Sequence, residues 1–189
     1  MRRRPPIWVG AWPSPTGPGR SPSARPGRVG WPPWPWTTLQ ASAGLEWYAR
    51  RRLLPYLRQA RDRGSLDSGD AAQLERVLAR VADLAGPEEP PARIHGDLWG
   101  GNVLWGRDGA VLIDPAAHGG HRETDLAMLQ LFGAPHLERI LAAYREESPL
   151  ADGWRDRVPL HQLHPLLAHV CLFGRSYRPQ LLDAARRLL

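Results

Sequence analysis

The sequence predicts a mainly α (α+β) fold over residues 39–189, with one small β hairpin at its chemical centre, preceded by an unstructured tail over residues 1–38. Three observations predict it. From Leu45 onward, apolar residues recur at helical spacing in block after block, with Gly and Pro between the blocks. One stretch, "NVLWGRDGAVLID", instead reads as two short strands turning at Asp108-Gly109, a dipeptide suited to a tight hairpin. The first 38 residues hold ten of the twenty Pro and five of the nine Trp, which forbids a regular helix or an inner strand there.

Charge divides the chain at the same place. The tail carries six Arg and no acid, whereas residues 39–189 balance nineteen Arg against nineteen acids. The formal charge of +6 therefore belongs to the tail and says nothing about the folded part. A basic, Trp-studded tail could grip nucleic acid through phosphate pairing and base stacking. Scattered Trp among Pro and Gly is more simply a segment without selected structure, so no nucleic-acid partner is expected. The apolar stretch of "MRRRPPIWVGAW" ends at Pro13, too short for a secretory segment or a membrane span. The single Cys171, in the apolar run "HVCLFG", reads as a buried thiol; it excludes an internal disulfide and suits a reducing cytoplasm.

Each element follows from its residues. "LEWYARRRLLPYLRQARDR" sets Leu45, Tyr48, Leu53, Tyr56 and Leu57 near one helical face, with a kink expected at Pro55 and an end at Gly64. "SGDAAQLERVLARVADLAG" is a second helix striped by Leu74, Val77, Leu78, Val81 and Leu84, with Ser68 or Asp70 as the cap. "ARIHGD" is a short strand entering a loop. After the hairpin, "ETDLAMLQLFG", "PHLERILAAYREE", "PLHQLHPLLAHVCLFG" and "PQLLDAARRLL" are helical blocks.

The loop and hairpin carry the chemistry. Phosphoryl transfer from a nucleotide needs a carboxylate to orient and deprotonate a hydroxyl, ligands for Mg²⁺, and cations over the phosphates. "HGDLWGGN" places Asp97 five residues before Asn102, and Asp114 closes the second strand of the hairpin. That layout can set one carboxylate beside a hydroxyl while the Asn102 oxygen and the Asp114 carboxylate face a metal. Gly100-Gly101 lets the backbone turn tightly between them. An isolated His-x-Asp would be a polar turn; the Asn offset, the hairpin and the second Asp coincide here.

Other groupings point to less. His118, His121 and Asp125 have metal-like spacing, but Gly119-Gly120 argues for a loop and no Cys joins them. His161, His164 and His169 lie in an apolar helix and read as core or groove residues. Glu123 reads as a solvated or salt-bridged acid at a helix start.

"HGDLWGGNVLW", "LIDPAAHGGHRETDLAMLQLFG" and "HPLLAHVCLFGRSY" resemble the fructosamine kinase, or ketosamine-3-kinase, family, within the aminoglycoside phosphotransferase-like branch of the protein-kinase-like fold. The resemblance covers only the C-terminal lobe of that fold. It implies ATP- and Mg²⁺-dependent phosphorylation of the 3-hydroxyl of a small or protein-bound ketosamine. By motif position it implies Asp97 as the catalytic base and Asn102 and Asp114 as Mg²⁺ ligands. It further implies His95 as a loop-shaping residue and Asp125 as the acceptor of backbone hydrogen bonds from the loop. Trp99 is the loop aromatic and a candidate wall for the sugar. A kinase for an aminoglycoside or another amino sugar is the neighbouring alternative, and a non-catalytic remnant or binding module is the alternative outside enzymes.

The same resemblance calls for a Gly-rich strand-turn-strand over the phosphates and a Lys touching them. The chain has no Lys, and the Pro-rich tail cannot form that sheet. The abrupt change near residue 38 is the expectation of a truncated product whose first residues are read in a different frame, without activity on its own.

Overall fold

The computed structural model describes residues 47–107 and 109–189. The expected tail, Leu45 and Asp108 of the expected turn lie outside them. A π-helical turn, Tyr48–Leu53, runs into α1 (Leu54–Asp62), and the change of winding falls immediately before Pro55, near the start of α1. Proline lacks the N–H that a continuous helix would require at that point. Gly64, at φ +69°, follows the helix end.

The second helix is α2 (Ser68–Ala79), and it breaks at Arg80 before the single turn α3 (Val81–Leu84). Its cap is Asp67 rather than Ser68 or Asp70. The Asp67 side chain accepts the Asp70 N–H at 2.9 Å, and Asp70 reciprocates on the Asp67 N–H at 3.0 Å. Arg178 then forks onto Asp70 at 2.6 and 2.7 Å, tying the start of α2 to α7 (Arg178–Arg186).

Two small antiparallel sheets follow, one more than expected. Strand β1 (Ala92–Ile94) pairs with β4 (His118–Gly120), while β2 (Val103–Gly106) pairs with β3 (Gly109–Leu112). The segment around Gly119-Gly120, expected as loop, is a strand. Its glycine is what allows the pairing: a Cβ on Gly120 would lie 2.7 Å from the Ile94 side chain. Gly109, expected in the hairpin turn, instead pairs with Gly106 as the first residue of β3.

The remaining helices are α4 (Glu123–Phe132), α5 (Leu137–Glu147), α6 (Trp154–Phe173) and α7. Helix α6 is the axis of the fold. Thirteen of its twenty residues are buried, as expected for a helix surrounded on nearly all sides, and it continues through Pro159 and Pro165. Leu160, Leu163, Leu166, Leu167 and Val170 meet Leu53, Leu57, Leu74, Val77 and Leu181 in the main core. Each fully buried Leu contributes roughly 1.5–3 kcal/mol, enough to outweigh the hydrogen bonds lost at the prolines. A smaller cluster, Leu126, Ala127, Leu141, Trp154 and Val158, joins α4 and α5 to the start of α6. Cys171 is buried, its thiol donating to the Tyr56 carbonyl at 3.3 Å. No helix among the described residues is long and apolar enough to cross a membrane.

Candidate active site

Strand β1 delivers His95, Gly96 and Asp97 to the end of the small sheet, and β4 leads directly into α4 behind them. Gly96 sits at φ +80°, and a Cβ there would run into the Ala116 carbonyl, so the tight turn depends on glycine. Asp125, in the first turn of α4, accepts the His95 N–H at 2.6 Å on one carboxylate oxygen and the Gly96 N–H at 2.9 Å on the other. Burial pushes the Asp125 carboxyl above its ordinary value, and the two backbone bonds work against that shift.

The His95 ring is buried and bridges two segments. Its Nε2–H donates to the Ile113 carbonyl at 2.9 Å, so Nδ1 is free to accept the Asp97 N–H at 3.3 Å. Asn102, also buried, donates its amide to the Asp97 carbonyl at 2.8 Å and to Asp97 Oδ2 at 3.1 Å. Its backbone carbonyl accepts the Ile113 N–H at 3.0 Å. Asp97 and Asn102 are thus in direct contact, and Asp114 directly follows Ile113, whose backbone pairs with Asn102 and with the His95 ring. Asp114 is exposed, sits in the left-handed region at φ +50°, and makes no hydrogen bond or ion pair with any described residue.

Trp99 is 43% exposed, with its indole lying over Gly101, where any Cβ would collide with the ring. Gly100 approaches the turn after α4 so closely that a Cβ would lie 2.6 Å from the Gly133 carbonyl. The exposed Leu104, Trp105, Val111 and Leu112 continue an apolar surface along the hairpin.

Behind the loop lies a buried polar cluster that the sequence did not reveal. Glu123 is 2% exposed, and Arg157 of α6 forks onto it at 2.9 and 2.6 Å. His161 Nε2 lies 3.5 Å from the same carboxylate, its Nδ1 is 3.1 Å from Thr124 Oγ1, and its ring stacks on His121. His121, Glu123 and His161 bring their ligand atoms within 4.8 Å of one another. Arg157 occupies both carboxylate oxygens, however, so the group is an ion-pair network rather than a cation seat. The metal-like spacing of His118, His121 and Asp125 is not realised either, since both Asp125 oxygens serve the loop amides. Only the salt-bridged reading of Glu123 was visible in the sequence. Its partner lies 34 residues away, where no local pattern points to it.

Buried imidazoles make the fold acid-sensitive. His121 and His164 are both held at about 4 against an ordinary 6.5, by burial first, with the Arg52 guanidinium adding to it for His164. In the unfolded chain both protonate near 6.5, so between pH 6.5 and 4 protons favour the unfolded state and stability falls as pH drops. Glu123 loses stability to burial, but His161 and Arg157 outweigh that and hold it at about 2 against 4.5. Its contribution is therefore lost as pH drops from 4.5 to 2. The raised Asp125 carboxyl opposes this decline at the acidic end. The urea midpoint is expected to begin falling near pH 6.5, and His121→Gln should flatten that first decline. A midpoint that rises between pH 6.5 and 4 would contradict the assignment.

A helical body presenting the Asp97 loop between two small sheets matches half of certain solved structures. A crystal structure from Thermobifida fusca, assigned as a fructosamine-3-kinase, aligns with a TM-score of 0.75 at 66% identity, over 77% of this chain and 50% of that one. One from Haemophilus somnus, at 23% identity and a TM-score of 0.66, shares the fold over 78% of this chain. The class is a mainly helical fold that aligns with half of such a structure. The chain belongs to the fructosamine kinase family, whose sequence model matches residues 39–189. A mouse ketosamine-3-kinase is 36% identical over 148 residues, covering 76% of this chain and 46% of the mouse protein. A probable ketoamine kinase from Enterococcus faecium is 50% identical over 109 residues, covering 57% of this chain and 38% of its own length. The chain spans about half the length of the curated relatives it matches.

Proposed function

We propose that the chain supplies the acceptor-side half of an ATP-dependent kinase that phosphorylates the 3-hydroxyl of a ketosamine. The observation that carries this reading is the locked loop: Asp125 on two consecutive amides, His95 across to Ile113, and Asn102 on Asp97. Asn102 engages Asp97 Oδ2 and turns the carboxylate so that Oδ1 is left to accept the proton of the attacking hydroxyl. Trp99, half exposed beside it, offers a flat face for the sugar.

The donor set suits Mg²⁺. The NH₂ group of Asn102 is committed to Asp97, which leaves its oxygen for a cation, and the Asp114 carboxylate has no partner among the described residues to give up. Bound Mg·ATP would supply the phosphoryl group and neutralise the charge that develops on it. The cations this chain could add over the phosphates are all Arg, because it contains no Lys. The residues present therefore account for the metal and the acceptor, not for the cover over the γ-phosphate.

The test is a chimera in which residues 47–189 replace the matching half of the Thermobifida fusca protein. It is expected to phosphorylate fructosyl-lysine with Mg·ATP and to prefer it to an aminoglycoside run in parallel. Asp114→Ala should raise the Mg²⁺ concentration needed for half-maximal rate by about tenfold or more, as expected for loss of a metal ligand. Preference for the aminoglycoside would refute the substrate, and no turnover with Mg·ATP bound would refute the mechanism.

A further inference from the structure

Arg122, Glu123, Thr124 and Asp125 are consecutive, and each side chain reaches a different part of the molecule. Arg122 forks onto Glu89 at 2.7 and 2.8 Å and also donates to Ser148 Oγ at 2.6 Å. Glu123 takes the Arg157 fork, Thr124 pairs with His161, and Asp125 holds the His95 and Gly96 amides. Arg157 and His161 are four residues apart, hence on one face of α6. Arg122, the N-cap residue of α4, makes no side-chain cap bond; His121 Nδ1 accepts the Glu123 N–H at 3.3 Å, and the long-range ties add to that local bond in fixing where the helix begins.

We propose that Glu123 and Thr124 are positioning residues, which register the Asp97 loop against the core helix α6 by fixing the place and rotation of the Asp125 carboxylate. A fork between guanidinium and carboxylate restrains both position and plane. Asp125 needs both, because its two oxygens serve two successive amides. A tilt of the first turn of α4 breaks one of these bonds and frees the backbone immediately before Asp97. Functionally, this deepens the kinase reading and rests on it only in taking the Asp97 loop as the reacting loop.

The experiment is amide hydrogen exchange of the full chain, read by NMR at His95 and Gly96, with no substrate present. The double variant Glu123→Leu/Arg157→Met removes both buried charges together, which is often neutral for stability where a single removal is not. It is expected to lose less of its urea midpoint than Arg157→Ala, while the His95 and Gly96 amides exchange about tenfold faster or more. Thr124→Val, a near-isosteric change, should speed the same two amides several-fold while those of Leu57, Val170 and Leu181 keep their rates. Should the double variant fail to fold, Thr124→Val decides alone. Unchanged exchange at His95 and Gly96 in a folded variant, or uniform acceleration across the core, would overturn the proposal. Local acceleration together with full turnover in an Asp97→Ala chimera would leave this inference standing and sink the kinase mechanism instead.

Discussion

Asp97→Ala in the chimera is expected to lower kcat about 10²–10⁴-fold, the usual effect of removing a positioned general base, while KM for the ketosamine changes less than about threefold. The asymmetry follows from where the carboxylate acts. A hydroxyl on the bound sugar needs no base until its proton begins to leave, so the interaction strengthens in the transition state and hardly contributes to ground-state binding. Asn102 is hydrogen-bonded to Asp97 and its oxygen is free for a metal, so Asn102→Ala should lower kcat and also raise the Mg²⁺ concentration needed for half-maximal rate. Equal losses in kcat and in substrate affinity for Asp97→Ala would mean that Asp97 holds the sugar instead of the proton.

Arg157→Ala should have the largest effect on stability, about 3–5 kcal/mol, because it strands a buried carboxylate without its counter-ion. Glu123 and Arg157 are 2% and 6% exposed, so water cannot take the place of the lost partner. The same guanidinium donates to the Asp152 carbonyl at 2.8 Å and packs on Gly86, where a Cβ would lie 2.6 Å from Nη1. Its loss therefore unties α6 from the turn before α6 and from the end of α3 as well. The pH dependence distinguishes the charge from the packing. Without Arg157, Glu123 keeps His161 but loses its guanidinium partner, so its folded value moves up from about 2 and less of its stabilisation remains to be lost as pH falls from 4.5 to 2. The deficit relative to the native chain should accordingly shrink as pH falls through that range. A deficit that stays constant with pH would assign the loss to packing alone.

The mainly helical class, the order of the elements and the Asp97–Asn102–Asp114 layout were legible because each depends on local periodicity or on spacing within some twenty residues. Helix stripes such as Leu74, Val77 and Leu78 declare themselves one turn at a time. Glycine marks ends such as Gly133 and Gly174 because it acts on its own backbone, whereas Pro159, read as the start of a helical block, lies inside α6, which begins at Trp154.

What only the tertiary structure decided are the pairings between distant segments. That Gly119-Gly120 forms a strand depends on Ile94 lying against it, and that Asp67 caps α2 depends on Asp70 being held by Arg178 from the far end of the chain. The buried Glu123–Arg157 pair is the strongest case. Neither residue type predicts burial on its own, since a lone charge placed there would be expelled. The two are stable inside only together, and a sequence read locally cannot show which charges will meet.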